Sequence, residues 1–253
     1  MKREIFLITV LVAVGLLLAL SVEPASALPV NQIAPGSLTG TGLITFDDVA
    51  GGAAPGTNYD AIFESNGANL GERFAGQINT PGGDFDVLSG SPTGPLSLAV
   101  GAAGQNLNVF DYNGSQVLTG LGPQGFPSFN AIGEGSFAVL FDFNQSQFGF
   151  DLVGGNGGDA FLNFFARDGS LISAITLSGL STQSYAFSRE GGVKDIAGIS
   201  IYNNDLGGIG FDNLRHDVPG VPGPGTSVPE PSTILLLGAG LVGLAAWRRK
   251  QLA

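Results

Sequence analysis

The chain has 253 residues, a formal net charge of −11 at pH 7 and no cysteine. The lack of cysteine excludes disulfides, thiolate metal sites and cysteine nucleophiles. Residues 28–226 carry 18 acidic but only 5 basic side chains. Such a surface repels nucleic acid, so we expect no nucleic-acid partner. The 41 glycines, among many Phe and Ile, indicate frequent tight turns rather than disorder.

The first 27 residues have the three parts of a secretory signal peptide. Lys2 and Arg3 precede an apolar core at residues 5–20, and Ala25-Ser26-Ala27 fits the small-x-small cleavage rule. We predict cleavage after Ala27 and export of the remaining chain. The alternative is an uncleaved N-terminal anchor.

Short segments with a period of two follow along residues 28–217, separated by Gly, Asn, Asp and Pro. This pattern predicts an all-β fold, and specifically a single β-sandwich of jelly-roll-like type. The predicted strands are 43–46, 85–88, 96–100, 107–112, 137–143, 147–152, 160–166, 171–177, 184–188, 196–202 and 209–214. Asp168-Gly169 predicts a hairpin with a type I′ turn. We predict that residues 60–70 form a polar loop.

Residues 218–228 alternate Pro and Gly and form no regular element, so they are interpreted as a linker. Residues 234–247 are then apolar and free of charge. At ~1.5 Å per residue a helix over them spans about 21 Å, which tilt and local thinning can fit to a ~30 Å hydrocarbon core. A basic cluster, Arg248-Arg249-Lys250, ends this predicted transmembrane helix and favours a cytoplasmic C-terminus.

The tail at residues 229–250 resembles the PEP-CTERM sorting signal of bacterial exported proteins. Its motif is Pro229-Glu230-Pro231, followed by the apolar run and by Arg248, Arg249 and Lys250. The resemblance implies processing by an exosortase-type membrane enzyme. It also implies anchoring in the inner membrane through the C-terminal helix before processing, then a place at the cell surface or in the extracellular matrix. Association with extracellular polysaccharide is a further implication.

A structural calcium ion is the one cofactor that the sequence suggests. Hard cations bind clustered carboxylate, amide and backbone oxygens of loops. Three places offer such groups: Asp47-Asp48, residues 154–159 and residues 203–205. The middle segment matches a single calcium-binding nonapeptide, but a Gly-rich hairpin loop is the simpler interpretation. Since the first and last strands of jelly-roll sandwiches are often neighbours, the hypothesis is a site formed by Asp47 or Asp48 with Asp212; two ordinary acidic turns are the alternative.

Two tyrosines stand beside amides at predicted strand ends and are candidates for glycan binding. They are Tyr112 with Asn113, and Tyr202 with Asn203. A ring can stack on a pyranose while the amide bonds its hydroxyls. Tyrosines that cover the edge of the core are the alternative interpretation.

Catalysis has weaker support in the sequence. His216 is the only histidine and there is no G-x-S-x-G elbow, so we interpret His216 as a solvated residue near the linker. A carboxylate pair, for which Asp84 and Asp86 share a strand face, remains available for glycoside hydrolysis. The leading hypothesis is a non-enzymatic exported surface or matrix protein that associates with exopolysaccharide, with calcium as an aid. The alternative is a secreted polysaccharide-active hydrolase.

Overall fold

Nineteen β-strands and three one-turn 3₁₀ helices make up the regular structure in the computed structural model, which describes residues 28–65 and 68–217. The first ten strands are β1 (Val30–Ile33), β2 (Gly42–Ile44), β3 (Thr57–Tyr59), β4 (Phe63–Ser65), β5 (Ala68–Gly71), β6 (Arg73–Phe74), β7 (Ile78–Gly82), β8 (Phe85–Ser89), β9 (Leu98–Ala99) and β10 (Leu107–Tyr112). The others are β11 (Ser115–Leu121), β12 (Ile132–Gly135), β13 (Phe137–Gln145), β14 (Gln147–Gly154), β15 (Asp159–Phe165), β16 (Leu171–Ser178), β17 (Gln183–Arg189), β18 (Ile196–Asn203) and β19 (Ile209–His216).

Most strands belong to two sheets. The larger sheet has the order β1-β17-β14-β19-β11-β10-β3, with β12 added to β11 and β2 added to β19. The smaller sheet has the order β16-β15-β18-β13-β5-β4, and β6-β9 and β7-β8 form two separate two-stranded sheets. The all-β sandwich predicted from the sequence is therefore confirmed, while its jelly-roll variant stays a prediction.

The two main sheets enclose one apolar core because inward-facing residues alternate along their strands. Aromatic rings meet across the interface between the sheets. Phe137 of the smaller sheet lies 4.5 Å from Phe211 of the larger one, measured between ring centroids. Phe164 and Phe187 are 5.5 Å apart in the same way.

A second, smaller cluster lies on the outer side of the smaller sheet. Phe74, Leu96 and Phe165 are buried there with two alanines. Phe74 and Phe165 meet edge to face at 5.5 Å. The segment that contains β6 and β9 therefore covers part of this outer face.

Every strand predicted from the sequence is present, and β2 pairs with β19, as expected for the first and last predicted strands. The predicted polar loop at residues 60–70 is wrong. β4 and β5 form an antiparallel pair there, and Ala68 and Leu70 belong to the core. Their alternation is too short to be recognised in the sequence.

The hairpin at Asp168-Gly169 is confirmed because β15 pairs antiparallel with β16, but its predicted turn type is wrong. A type I′ turn requires positive φ at both central residues. Gly169 has φ +86°, whereas Asp168 is absent from the positive-φ residues. Phe165 pairs with Leu171, and the Ala166 N–H donates to the Ser170 carbonyl, so the turn is longer than two residues.

His216 is buried rather than solvated, which corrects the interpretation from the sequence. Its ring packs on Phe141 at 5.3 Å, and Nδ1 lies 2.8 Å from the carbonyl oxygen of Asp217. Gly42 pairs with His216 in the sheet. A Cβ at Gly42 would lie 2.6 Å from the imidazole, so glycine makes room for the ring.

Three predicted segments lie outside the described residues: the signal peptide at 1–27, the linker at 218–228 and the sorting signal at 229–250 with its helix at 234–247. Within residues 28–65 and 68–217, no helix has the length and hydrophobicity that a membrane crossing needs.

Replacement of Phe150 tests the aromatic core. Phe150 is fully buried, and its ring contacts those of Phe148, Tyr185, Phe187 and Phe211. We expect Phe150→Ala to lower the free energy of unfolding by about 3–5 kcal/mol because it leaves a cavity. Urea denaturation measures the loss. Phe143 is 58% exposed, so Phe143→Ala should cost less than about 1 kcal/mol; equal losses would contradict the description of the core.

Candidate functional site

An apolar groove of about 200 Å³ opens on the outer face of the larger sheet. It lies over β10, β11, β14 and β19, with one wall from the segment that leads into β12. Its lining contains no charged residue. The lining residues are Ala54, Phe110, Tyr112, Val117, Thr119, Phe129, Ile132, Gly133, Val153, Gly154 and Gly207 to Gly210.

Strand alternation places the aromatic residues of this groove. Leu107 and Val109 of β10 face the core, so Phe110 and Tyr112 face outward. Their rings meet edge to face at a centroid distance of 6.3 Å. Tyr112 is 42% exposed, and Phe129, which contributes from the other side, is 66% exposed.

The β10–β11 hairpin ends in the two-residue turn Asn113-Gly114, which fixes the position of Tyr112. Tyr112 pairs with Ser115, and Asn113 and Gly114 have φ values of +55° and +88°. These values match a type I′ turn, which Asn-Gly favours. Asn113 is exposed and directly follows Tyr112 in the chain, but it is not among the residues that line the groove.

Glycines form the other side of the groove because segments of the chain pack closely there. Gly133, Gly154 and Gly208 have positive φ, which favours glycine. A Cβ at Gly210 would lie 2.3 Å from a methyl group of Val117, and one at Gly208 would lie 2.5 Å from the carbonyl oxygen of Ile132. The glycines therefore shape this wall by close packing of the chain.

A row of paired polar side chains runs across the same face of the sheet next to the groove. The Ser115 hydroxyl donates a 2.7 Å hydrogen bond to Asp212, which pairs in the ladder with Asp151 of β14. Asp151 accepts bonds from both guanidinium nitrogens of Arg215, at 3.0 and 3.1 Å, and from the Ser184 hydroxyl. Burial opposes ionisation of Asp151, but these bonds outweigh it and lower its pKa.

Of the three predicted calcium ligands, Asp47 and Asp212 bond to adjacent residues of β11, whereas Asp48 bonds elsewhere. Asp47 accepts a long, 3.5 Å bond from the backbone N–H of Gln116, and the preceding residue, Ser115, is the one that bonds Asp212. Asp48 instead accepts weak bonds from Ser65. Within the described part of the chain, no three His, Cys, Asp or Glu side chains are grouped so that they could hold a metal ion. The carboxylate of Asp212 is already hydrogen-bonded to protein groups, so these residues fit a calcium ion poorly.

The other two calcium candidates are joined by Asp205. Its buried carboxylate accepts backbone N–H bonds from Asn156, Gly158 and Gly207 at 2.7–2.9 Å. The Gly-rich segment at 154–159 is a connection between the two main sheets, not a hairpin loop, since it joins β14 to β15. Asp205 thus organises this connection through backbone groups.

Tyr202 and Asn203 lie away from the groove lining, on the smaller sheet. The Tyr202 ring stacks on Phe161 at 4.8 Å and 21°, and burial raises its pKa. Asn203 is buried, donates to the carbonyl of Gly133 at 3.0 Å and accepts from the N–H of Asp205. Because Gly133 lines the groove, Asn203 supports the wall from behind and does not face a ligand.

A polar cleft of about 270 Å³ lies elsewhere, between the β5–β6 segment and the β7–β8 hairpin. Glu72 and Asp86 line it, together with Arg73, Asn79 and Gln105. Glu72 forms an ion pair with Arg73 and accepts a 2.9 Å bond from Asn79. Burial raises the pKa of Asp86, although bonds from Ser136 and Asn79 partly offset this effect.

A third carboxylate with a perturbed pKa is Glu134 of β12. Only 8% of Glu134 is exposed, and its Oε2 has no hydrogen-bond partner in the described residues. Burial, helped by the nearby charge of Asp84, raises the pKa of Glu134 to about 7. Asp84 itself accepts a bond from Gln124, so Asp84 and Asp86 have different partners although they flank Phe85.

Sequence reasoning placed Tyr112 and Asn113 at a possible site but missed Phe110, Phe129, Asp151 and Arg215. The alternation of Phe110 with Tyr112 was a usable signal, because two aromatics at i and i+2 share a strand face. Phe129 begins a one-turn 3₁₀ helix before β12, which is too short for a periodic pattern to reveal its exposure.

A model of the PEP-CTERM protein-sorting motif matches residues 227–250. The chain carries this sorting motif. The match includes Pro229-Glu230-Pro231 and the basic residues 248–250, so the resemblance noted in the sequence is confirmed. The PEP-CTERM motif indicates an exported protein that is sorted to the membrane or cell surface.

No curated protein matches the chain. Among solved structures, it is similar to one titled "X-ray crystal structure of a non-crystalline cellulose specific carbohydrate-binding module: CBM28". The two share 17% identity over 44% of this chain and 80% of that one, with a TM-score of 0.29. At this level we draw no conclusion from that module about a ligand of this chain.

The raised pKa of Glu134 predicts a pH-dependent stability. The neutral carboxyl stabilises the folded state fully below the unfolded pKa of 4.5, and this contribution is lost as the pH rises towards about 7. Glu134→Gln should therefore melt at a higher temperature than the wild type at pH 8 and near the same temperature at pH 4. Calorimetry at both pH values measures this. Glu64 is exposed, so Glu64→Gln serves as the control; the same pH dependence in both variants would refute the assignment.

Proposed function

We propose that this chain is a non-enzymatic protein of the cell surface or extracellular matrix that binds exopolysaccharide in the groove beside Tyr112. The observation that carries the proposal is the exposed aromatic pair Tyr112 and Phe129 on an uncharged, glycine-walled groove. The sorting motif supports it, because the motif directs the chain to where such polymers are found.

Sugar rings present an apolar face and a rim of hydroxyls. The rings of Tyr112 and Phe129 offer large apolar surfaces on which the apolar face of a sugar ring can pack. The phenol of Tyr112, the amide of Asn113 and the backbone of the exposed Gly207 can bond hydroxyls at the rim. An uncharged lining suits neutral sugar units, so the bound segment of the polymer is neutral in this proposal.

Sorting and anchoring complete the proposed function. In this proposal an exosortase-type enzyme processes the chain near Pro229-Glu230-Pro231, and the helix predicted at 234–247 holds it in the inner membrane until then. The linker predicted at 218–228 lies between the groove-bearing domain and that anchor in the sequence. Calcium has no step in this scheme because Asp47, Asp48 and Asp212 fit the ion poorly.

Loss of the Tyr112 ring tests the groove directly. Tyr112→Ala should weaken retention of the protein on exopolysaccharide from the producing strain about tenfold, since the ring contributes about 1.4 kcal/mol. Affinity electrophoresis in gels containing that polysaccharide measures the change. The matched control is Tyr202→Ala, which removes a half-buried tyrosine of the other sheet. Equal weakening in the two variants would contradict the proposal.

The same gels run in calcium and then in EDTA test the predicted cofactor. Retention that depends on Tyr112 in both conditions supports binding without calcium. If retention is lost in EDTA and is unaffected by Tyr112→Ala, the polysaccharide binds through a calcium-bridged contact and not in the groove.

The polar cleft favours a second candidate function, a polysaccharide-active hydrolase. Glu72 and Asp86 both accept hydrogen bonds from the Asn79 amide, so they lie close to each other, and burial raises the pKa of Asp86. A carboxyl with a raised pKa beside a second carboxylate suits a general acid with a partner. Release of reducing sugar from the same exopolysaccharide, abolished by Asp86→Asn, would establish this function; no release by the wild type would exclude it for that polymer.

A further inference from the structure

The smaller sheet ends in a long strand whose outer edge is open. β16 pairs with β15 on one side, and no other strand among the described residues pairs with it. It is eight residues long, whereas the other strands of the two main sheets that pair on one side only, β1, β2, β3, β4 and β12, have three or four residues. Open backbone groups on such an edge are a template for another strand.

The composition of β16 lacks the features that normally protect an edge. Its sequence, Leu-Ile-Ser-Ala-Ile-Thr-Leu-Ser, contains no charge, no proline and no glycine. It belongs to a run without any charged residue from Gly169 to Ser188. Natural edge strands are usually protected by lysine, proline or a bulge. The one irregularity in pairing lies near Leu171, so the ladder is regular from Ser173 to Ser178.

The lack of charge on β16 makes this edge the part of the acidic surface where a second copy of the chain meets least repulsion. The exported part of the chain has 18 acidic and 5 basic side chains, so two copies repel over most of their surfaces. Pairing along β16 sets no like charges opposite each other. It also joins two strands of the same length and pattern, as a twofold interface requires.

We propose that two copies of this chain pair antiparallel through β16. Ile175 and Leu177 stand opposite core residues of β15, and the alternation places Ala174 and Thr176 on the outer face. Pairing must keep core-facing residues on one side of the joined sheet. This condition is met by a twofold axis at Ile175, with Ala174 of one copy opposite Thr176 of the other.

The dimer joins the two smaller sheets into one continuous sheet. It uses no residue that lines the groove, because the groove belongs to the larger sheet. Each dimer therefore presents two grooves, and two linked sites raise retention on a repeating polymer without any new contact.

Introduced cysteines test the proposed register in the full chain, which has no thiol of its own. The double variant Ala174→Cys/Thr176→Cys should form a disulfide-linked dimer within minutes of mild oxidation in detergent extracts. Non-reducing gels would show the dimer, and dithiothreitol would reverse it. Ala174→Cys alone should crosslink more slowly, because in this register Ala174 does not face itself.

The matched control is Val87→Cys/Ser89→Cys, which places two exposed thiols at the same spacing on β8. Crosslinking of the β16 pair no faster than this control would overturn the proposal. Equal crosslinking by the single and double β16 variants would overturn the register. In a second measurement, Thr176→Lys should shift the sedimentation mass of the exported protein from dimer to monomer while leaving its circular dichroism unchanged; a wild-type monomer at all concentrations would also overturn the dimer.

Discussion

Aromatic packing between the two main sheets is the interaction on which the rest of this structure depends. The chain has no disulfide, so the sheets are held together by buried rings such as Phe137 against Phe211 and Phe164 against Phe187. Once alternate residues are committed to that core, every other residue of the same strands must face outward. The groove follows from this constraint: Val109 packs inward, and therefore Phe110 and Tyr112 line the outer face.

The outer face of the larger sheet brings together candidate residues that are far apart in the sequence. Tyr112 was a candidate for glycan contact and Asp212 for metal binding, yet the β10–β11 hairpin brings them to neighbouring positions through Ser115. Asp212 has a hydrogen-bond donor there, and Arg215 neutralises Asp151 beside it. No charged residue lines the groove, and the carboxylates next to it are bonded to groups within the sheet. The open edge of β16 is uncharged for a different reason, since none of its residues carries a charge.

Features that depend on neighbouring residues in the sequence could be predicted, whereas features that depend on contacts between distant segments could not. β10 was predicted at its observed bounds because alternation from Leu107 to Tyr112 is a local property. β11 was missed although it lies between two others, since Gly120 interrupts its pattern and the Asn113-Gly114 turn was considered only for its amide. His216 looked like a solvated terminal residue, but pairing of β19 with Gly42, far away in the chain, buries it. The perturbed carboxylates had no local signal, because burial of Glu134 arises from segments that meet only in the fold.

The central claim is that the polysaccharide binds on the outer face of the larger sheet. Amide hydrogen exchange, measured by mass spectrometry with and without the exopolysaccharide, locates the contact directly. We expect slower exchange at residues 107–121 and 207–212 when polymer is present, with residues 72–89 unchanged. Protection confined to residues 72–89 would place the ligand in the polar cleft, and protection nowhere would contradict polysaccharide binding by this domain.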